Sequence, residues 1–213
     1  MPRAVVRHPV FARFYTRLSV GMERGGVSER RRTLLAGLTG SVLEAGAGNG
    51  LNFGHYPAAV TAVLAVEPEP RLRALAEQSA RRATTVITVT DGIAEHLPAG
   101  DQEFDAVVAT LMLCSVSDPA LALREMRRVL RPGGELRFME HVAAESPGLR
   151  RVQRIADATC WPACFGGCHA SRDPVAAIAA AGFRVLELEK YRLPDTRFPW
   201  PTAPHACGVA VRA

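Results

Sequence analysis

From Thr39 onward, short apolar runs alternate with stretches whose apolar residues recur at helical spacing. This alternation is typical of a parallel sheet with helices on both of its faces. The run at 104–110 is apolar over most of its length, as in a strand buried on both faces. The predicted strands are 41–45, 62–66, 84–90, 104–110, 135–141, 183–191 and 206–212. The predicted helices are about 51–59, 71–82, 118–130, 147–159 and 171–182. The sequence therefore predicts an α/β fold.

The residues before the first strand have a different pattern. Val10, Phe11, Phe14, Leu18 and Met22 recur at the spacing of an amphipathic helix. No linker-like stretch divides the chain, and 213 residues suit one domain. We expect a single domain over 1–213, with 1–38 as an N-terminal helical cap.

Charge and hydropathy limit the classes of partner. The formal net charge is +5, but the arginines are scattered, and most, including Arg30, Arg31 and Arg32, are expected on exposed helix faces. A nucleic-acid footprint needs a clustered basic face, so no nucleic acid is expected as a partner. The apolar runs fall short of the roughly 20 residues that span a bilayer, and the N-terminus shows no apolar signal core. We therefore expect a cytoplasmic protein without a membrane span, either a monomer or a homodimer.

The five cysteines do not suggest a disulfide framework, because their number is odd and no secretory signal is evident. Cys160, Cys164 and Cys168 form a cluster in the sequence, but three residues separate each pair. Structural zinc sites usually place two residues between paired cysteines. No metal is therefore expected.

A glycine-rich turn follows the first predicted strand, with Gly46, Gly48 and Gly50 at alternate positions. Glycines let the backbone approach a ligand closely, and this order alone also suits a dinucleotide. Two acids favour S-adenosylmethionine instead. Glu44 is placed to attract its sulfonium and amino group but would repel a pyrophosphate. Glu67 ends the second strand, where a carboxylate accepts hydrogen bonds from both ribose hydroxyls. The competing interpretation is an ordinary tight turn with two surface acids.

Four segments together resemble the ubiquinone/menaquinone-type class I methyltransferases. They are the glycine-rich turn and the stretches 92–98, 104–108 and 129–134. The resemblance implies a Rossmann-like fold with a seven-stranded, mostly parallel sheet in the order 3-2-1-4-5-7-6, the last strand antiparallel, and S-adenosylmethionine as cofactor. Ile93 stands where the family has an aspartate for the adenine amino group, so the Ala94 backbone and Asp91 are expected to substitute. The cofactor-binding residues that the turn and the resemblance imply are Glu44, Gly46, Ala47, Gly48, Asn49, Gly50, Asn52, Glu67, Pro68, Asp91, Gly92, Ile93, Ala94, Thr110, Leu111 and Cys114.

A narrower set of segments resembles the membrane-associated alkyl-thiol methyltransferases. It comprises 110–116, 138–145, the Gly167–Cys168 pair with Arg172 after it, and Pro204–His205. The resemblance implies a small apolar thiol as methyl acceptor. Those relatives carry an N-terminal membrane-inserting segment, which this chain is expected to lack. The open alternatives are O-, N- or C-methylation of a quinone, phospholipid or polyketide-type molecule, and a binding module without catalysis.

The acceptor must lose its proton before it attacks, and the adjacent sulfonium favours the thiolate. Strand ends that face the cofactor are the usual source of the groups required. His141 is the first candidate for a base or orienting group and His205 the second. Glu140 alternates in direction with His141, so one of the two should point into the cleft. Cys114 is expected to be a wall residue. The predicted substrate pocket comprises Phe11, Tyr15, Met112, Trp161, Phe165 and Arg172, with Phe198 and Trp200 at its rim.

Overall fold

The computed structural model describes residues 9–196, 198 and 200–213. Residues 1–8 of the expected cap lie outside this range, as does the side chain of Val10. Seven strands make one sheet: β1 Gly40–Ala45, β2 Val60–Val66, β3 Ile87–Thr90, β4 Phe104–Thr110, β5 Leu130–His141, β6 Phe183–Arg192 and β7 Pro204–Arg212. The helices are α1 Pro9–Met22, α2 Ser28–Leu35, α3 Pro70–Ala80, α4 Pro119–Val129, α5 Pro147–Asp157, α6 Trp161–Cys164 and α7 Pro174–Ala180. A π-helical segment, Glu23–Val27, joins α1 to α2.

The strand order is β3-β2-β1-β4-β5-β7-β6, which confirms the predicted order. Strands β1 to β5 pair in parallel, and β7 runs antiparallel to both β5 and β6. The order of the strands reverses between β1 and β4. Strands β2 and β3 lie on one side of β1, and β4 and the later strands lie on the other. In open α/β sheets a ligand-binding crevice forms at this point, outside the carboxyl ends of the strands.

Both faces of the central strands are buried, as the apolar run of β4 predicts. Val107 and Ala109 join a core cluster with Leu123 and Met126 of α4 on one face. Ala106 and Val108 join a second cluster on the opposite face, which α2 and α3 cover. Because successive side chains of β4 point to opposite faces of the sheet, this strand contributes to the helix–sheet core on both faces.

The predicted helix at 51–59 is wrong. That stretch is a turn with one short 3₁₀ segment, Phe53–His55. Pro57 lacks a backbone N–H, and the residue before a proline is disfavoured in the helical region. Tyr56 accordingly takes an extended conformation, with φ −65° and ψ 128°. Phe53 and Tyr56 turn inward and are buried. Among the helices that the structure describes, none has the length and apolarity to cross a bilayer.

Candidate functional site

The glycine-rich turn lies directly after β1, at the carboxyl edge of the sheet. The backbone N–H groups of Gly46 and Ala47 both donate to the carbonyl of Val66, at 2.9 and 3.1 Å, which ties the turn to the end of β2. Gly46 has φ +68°, and a Cβ there would lie 2.8 Å from the Cβ of Met112. A side chain at position 46 is therefore excluded both by backbone conformation and by the loop after β4.

Glu67 directly follows β2 and directs its carboxylate toward the glycine-rich turn. Its Oε2 accepts from the Gly48 N–H at 2.7 Å, and its Oε1 accepts from the Glu69 N–H at 2.9 Å. The side chain is 5% exposed. Burial raises the pKa of Glu67 to about 7, against the opposing effect of the two backbone hydrogen bonds.

A cavity of about 370 Å³, hereafter the turn cavity, opens in front of these groups. Its wall brings together eight of the predicted cofactor residues: Gly46, Gly48, Glu67, Pro68, Ile93, Ala94, Thr110 and Leu111. Met112, expected in the substrate pocket, also lies in this wall. The other eight candidates do not line this cavity, and Cys114 lines the second cavity described below. Asp91 forms an ion pair with Arg73 of α3 at 2.9 Å, and Asn49 uses its carbonyl to accept from Ser79.

Glu44 and Asn52 form a buried polar network behind the turn. The Glu44 carboxylate accepts from Asn52 Nδ2 at 3.0 Å and from the Tyr56 hydroxyl at 2.6 Å. Its pKa is raised to about 7, because burial outweighs these hydrogen bonds and the nearby positive charge of Arg31. The network packs behind the glycine-rich turn and holds the Glu44 carboxyl group close to it.

Arg31 completes that network, and its position corrects the expectation of an exposed helix face. The side chain is 4% exposed. It donates to Asn52 Oδ1 at 2.8 Å and to Thr110 Oγ1 at 3.3 Å, and it forms an ion pair with Glu23 at 2.9 Å. One sequence signal was available, because Arg31 is spaced four residues from buried Val27 and four from buried Leu35, on the face of α2 that packs inward.

Glu140 and His141 point in opposite directions at the end of β5. Glu140 is fully buried and accepts from the backbone N–H groups of Met112 and Leu113 at 2.9 and 2.8 Å. Burial raises the pKa of Glu140 well above its usual range. This acid therefore holds the loop after β4, whereas His141 lies in the wall of a second cavity.

Arg172 holds the same loop from the other side. Its Nη1 donates to the carbonyls of Leu113, Cys114 and Val116, at 3.1, 3.1 and 2.7 Å. The sequence placed Arg172 in the substrate pocket, but its guanidinium is used to fix backbone carbonyls. The loop at 111–116 is thus held from two sides: Glu140 accepts hydrogen bonds from its N–H groups, and the Arg172 guanidinium donates hydrogen bonds to its C=O groups.

The second cavity, hereafter the apolar cavity, measures about 710 Å³. Its wall comes mainly from segments outside the parallel strands and is rich in aromatic and aliphatic side chains. Of the predicted pocket and rim residues, Phe11, Tyr15, Trp161, Phe165 and Trp200 lie in it, while Phe198 is 59% exposed. Two cysteines and two histidines also line it: Cys114, Cys168, His141 and His205.

The two cavities meet at shared walls. Phe11, Tyr15, Leu111 and Ser115 contribute to both of them. Leu111 has φ +56°, an unusual conformation for a side chain of this size. Its N–H donates to the Met139 carbonyl at 2.7 Å, so the conformation is held by β5. Sparsely populated backbone conformations of this kind are found preferentially at functional sites.

His205 is buried beside His141 on the adjoining strand. Its Nδ1 lies 2.8 Å from the Ala203 carbonyl, which fixes the proton on that nitrogen. Its Nε2 is buried and has no hydrogen-bond partner among the described residues. Burial, together with His141, lowers the pKa of His205 to about 3. The ring is therefore neutral, with an unshared electron pair on Nε2.

Comparison with known proteins gives three further findings. Residues 43–138 match the methyltransferase domain family. The chain is 37% identical to thiol S-methyltransferase TMT1A of Homo sapiens over 179 residues, which are 81% of this chain and 70% of the relative. It is 38% identical to thiol S-methyltransferase TMT1B of Mus musculus, over 84% of this chain and 74% of the relative. An S-adenosylmethionine-dependent methyltransferase structure from Thermotoga maritima shares the fold, with a TM-score of 0.68 and 20% identity, covering 97% of this chain and 99% of that one.

Proposed function

Because this chain belongs to the family of S-adenosylmethionine-dependent methyltransferases that includes the thiol S-methyltransferases, we propose that its acceptor is a small, largely apolar thiol. The observation that carries the proposal is the junction of the two cavities at Leu111. One cavity carries the features that suit the methyl donor. The other is lined mainly by apolar side chains, which favour a lipophilic small molecule over a charged one.

The turn cavity fits S-adenosylmethionine in its donor chemistry. The Glu67 carboxylate would accept hydrogen bonds from the ribose hydroxyls, while Ile93 and the Ala94 backbone would contact the adenine. The close approach of backbone at Gly46 and Gly48 leaves room for the amino-acid end, with the negative charge of Glu44 behind it. When bound, the cofactor supplies an electrophilic methyl group on a positively charged sulfur.

The chain's own contribution is alignment, exclusion of water and proton handling. Methyl transfer is an in-line displacement, so a rate gain comes from holding donor and acceptor in register. The fixed loop at 111–116 supplies the shared wall, and Tyr15 of α1 covers the turn, 3.6 Å from where a Cβ of Gly48 would lie. His141 and His205 are the two groups in the apolar cavity that are suited to orient an acceptor S–H.

A panel of acceptors tests the proposal directly. Purified protein, S-adenosylmethionine and matched thiols, phenols and amines are incubated, and methylated products are measured by mass spectrometry. We expect kcat/KM for alkyl and aryl thiols to exceed that for the matching phenols and amines by on the order of tenfold or more, because a thiol loses its proton more readily than a phenol and the thiolate is a strong nucleophile. The Glu67→Gln variant, in which cofactor binding should be weakened, serves as the reference for the background rate of product formation. Turnover of phenols or amines with silence across the thiols would overturn the thiol assignment while leaving the methyltransferase activity standing.

Cofactor affinity should depend on pH through Glu44 and Glu67. Both hold a pKa of about 7 in the cofactor-free protein, above the usual 4.5. Since the folded chain retains these protons longer than the unfolded chain, the free energy of unfolding of the cofactor-free protein falls as pH rises from about 4.5 to 7. Binding of a cation favours the ionised acids, so affinity changes in the opposite direction.

We therefore expect the dissociation constant of S-adenosylmethionine to rise between pH 7.5 and pH 6 by about eightfold for each acid that must ionise, and by up to roughly 70-fold for the two together. Isothermal titration calorimetry at several pH values measures it, and the cofactor-induced increase in Tm should shrink over the same interval. In Glu67→Gln one of the two titrating acids is gone, so the pH dependence of that variant should be shallower. A dissociation constant that stays flat from pH 6 to 7.5 would contradict the prediction.

A further inference from the structure

Three metal-binding side chains from distant parts of the sequence converge at the wall of the apolar cavity. Cys114 comes from the loop after β4, His141 ends β5, and Cys168 lies between α6 and α7. The Sγ atoms of Cys114 and Cys168 each lie 3.5 Å from His141 Nδ1. All three ligand atoms lie within 4.8 Å of one another.

The two sulfur–nitrogen separations match the edges of a tetrahedral zinc site. Zinc–sulfur bonds of about 2.3 Å and zinc–nitrogen bonds of about 2.0–2.1 Å, set at the tetrahedral angle, place sulfur and nitrogen roughly 3.6 Å apart. A catalytic zinc takes three protein ligands and leaves a fourth position open, and two cysteines with one histidine are one of the known ligand sets.

The segments that carry the ligands are packed tightly together. The N–H of His169 donates to the Cys114 carbonyl at 2.8 Å. A Cβ on Gly167 would meet the Ser115 carbonyl oxygen at 2.7 Å, so that glycine allows the close approach of the two backbones. Arg172 donates to the same loop. The arrangement is therefore held by backbone contacts that do not depend on an ion, as a preorganised site requires.

We propose that Cys114, His141 and Cys168 bind a zinc ion whose fourth coordination position opens into the apolar cavity. The expectation of no metal rested on the spacing of Cys160, Cys164 and Cys168, and only the last of these belongs to the site. Cys160 and Cys164 are exposed. The fold supplies the other two ligands from the loop after β4 and from the end of β5, so the spacing of the three cysteines carried no information about them.

The open position would bind the acceptor sulfur, a step that rests on the proposed function. The acceptor thiol displaces a water from the ion, and its proton passes to solvent. The resulting thiolate attacks the methyl carbon. A new sulfur–carbon bond forms as the sulfonium–methyl bond breaks, and that electron pair stays on the cofactor sulfur. The neutral thioether product is a weaker ligand than the thiolate and dissociates. His205 is not a ligand in this site. Its buried Nε2 can accept a hydrogen bond, and the residue lines the same cavity.

Zinc binding tests the site without reference to activity. The reduced, metal-free chain is titrated with Zn²⁺ in competition with a chromophoric chelator. We expect one equivalent per chain, and we expect Cys114→Ser and Cys168→Ser each to weaken binding by at least about 100-fold. Cys160→Ser and Cys164→Ser are matched controls and should leave the affinity unchanged. Failure to bind one equivalent, equal losses in the control variants, or a Cys114–Cys168 disulfide in place of a bound ion would overturn the proposal.

Cobalt substitution tests the geometry in the unaltered chain, where misfolding of a variant plays no part. Co²⁺ alone should give the intense visible absorption of a tetrahedral site with thiolate ligands. Addition of an alkyl thiol, with no methyl donor present, should shift those bands. A tetrahedral spectrum that thiols leave unchanged would overturn the open position. The acceptor panel is read separately, so metal binding without thiol methylation refutes the proposed function and keeps the site, and the reverse result refutes the site alone.

Discussion

Glu67→Gln is expected to raise the dissociation constant of S-adenosylmethionine about 100-fold at pH 7.5. The carboxylate makes two backbone hydrogen bonds and faces the turn cavity. Charge-assisted hydrogen bonds are roughly twice as strong as neutral ones, and loss of one partner of such a bond in a buried site costs about 2–3 kcal/mol. The amide is isosteric but neutral, and its NH₂ group would face either the Gly48 N–H or the Glu69 N–H. Isothermal titration calorimetry measures the change.

The matched control is Glu77→Gln, an exposed acid on the neighbouring helix α3. This substitution removes the same charge at an exposed position and should change cofactor affinity by no more than about twofold. Equal affinities for Glu67→Gln and the unaltered chain would show that the ribose is bound elsewhere. Far-ultraviolet circular dichroism of both variants separates a binding defect from a folding defect.

Arg31→Met should lower the free energy of unfolding by about 3 kcal/mol. Arg31 is buried and its partner Glu23 is partly buried, so removal of the cation leaves a carboxylate that water reaches only in part, at the lower end of the cost expected for a buried ion pair. Here Glu23 would lose its cation, and Asn52 Oδ1 would lose its donor. For a chain of this length the corresponding fall in Tm is roughly 6–12 °C. Urea and thermal denaturation followed by circular dichroism provide the measurement.

The adjacent arginine offers a control with the same substitution. Arg32→Met removes an exposed residue paired only one turn away, with Glu29, and should change stability by no more than about 0.5 kcal/mol. The double variant Arg31→Met/Glu23→Gln should recover part of the loss, because the stranded carboxylate is then neutral. Equal destabilisation by Arg31→Met and Arg32→Met would refute the buried network.

The parts of the fold that follow from local pattern were predictable from the sequence. The bounds of β4 coincide with the apolar run at 104–110. Asp118 caps α4 through a hydrogen bond to the Leu121 N–H at 2.9 Å, as its position before Pro119 indicates. The sheet order came from the family resemblance, and the structure confirms it.

The parts that depend on side-chain direction across long sequence separations were not predictable. The alternation of side chains along a strand predicted that Glu140 and His141 point in opposite directions. Only the fold shows that Glu140 accepts hydrogen bonds from the loop after β4. Arg31 looked like one charge in a run of three; its spacing from Val27 and Leu35 placed it on the inward face of α2, but its polar partners Asn52 and Thr110 are known only from the fold. The convergence of Cys114, His141 and Cys168 requires three segments to be folded together.

The division between the two cavities has a consequence for how such enzymes diversify. The turn cavity is built largely on strand ends and backbone groups, and under the proposed function a change at Gly46 or Glu67 would affect binding of the methyl donor whatever the acceptor. The apolar cavity draws its aromatic walls from α1, α6 and the segment before β7. Under the proposed assignment of the two cavities, substitutions in those segments alter the acceptor pocket and leave the groups around the methyl donor unchanged, so we expect the choice of acceptor to change more readily than the use of S-adenosylmethionine.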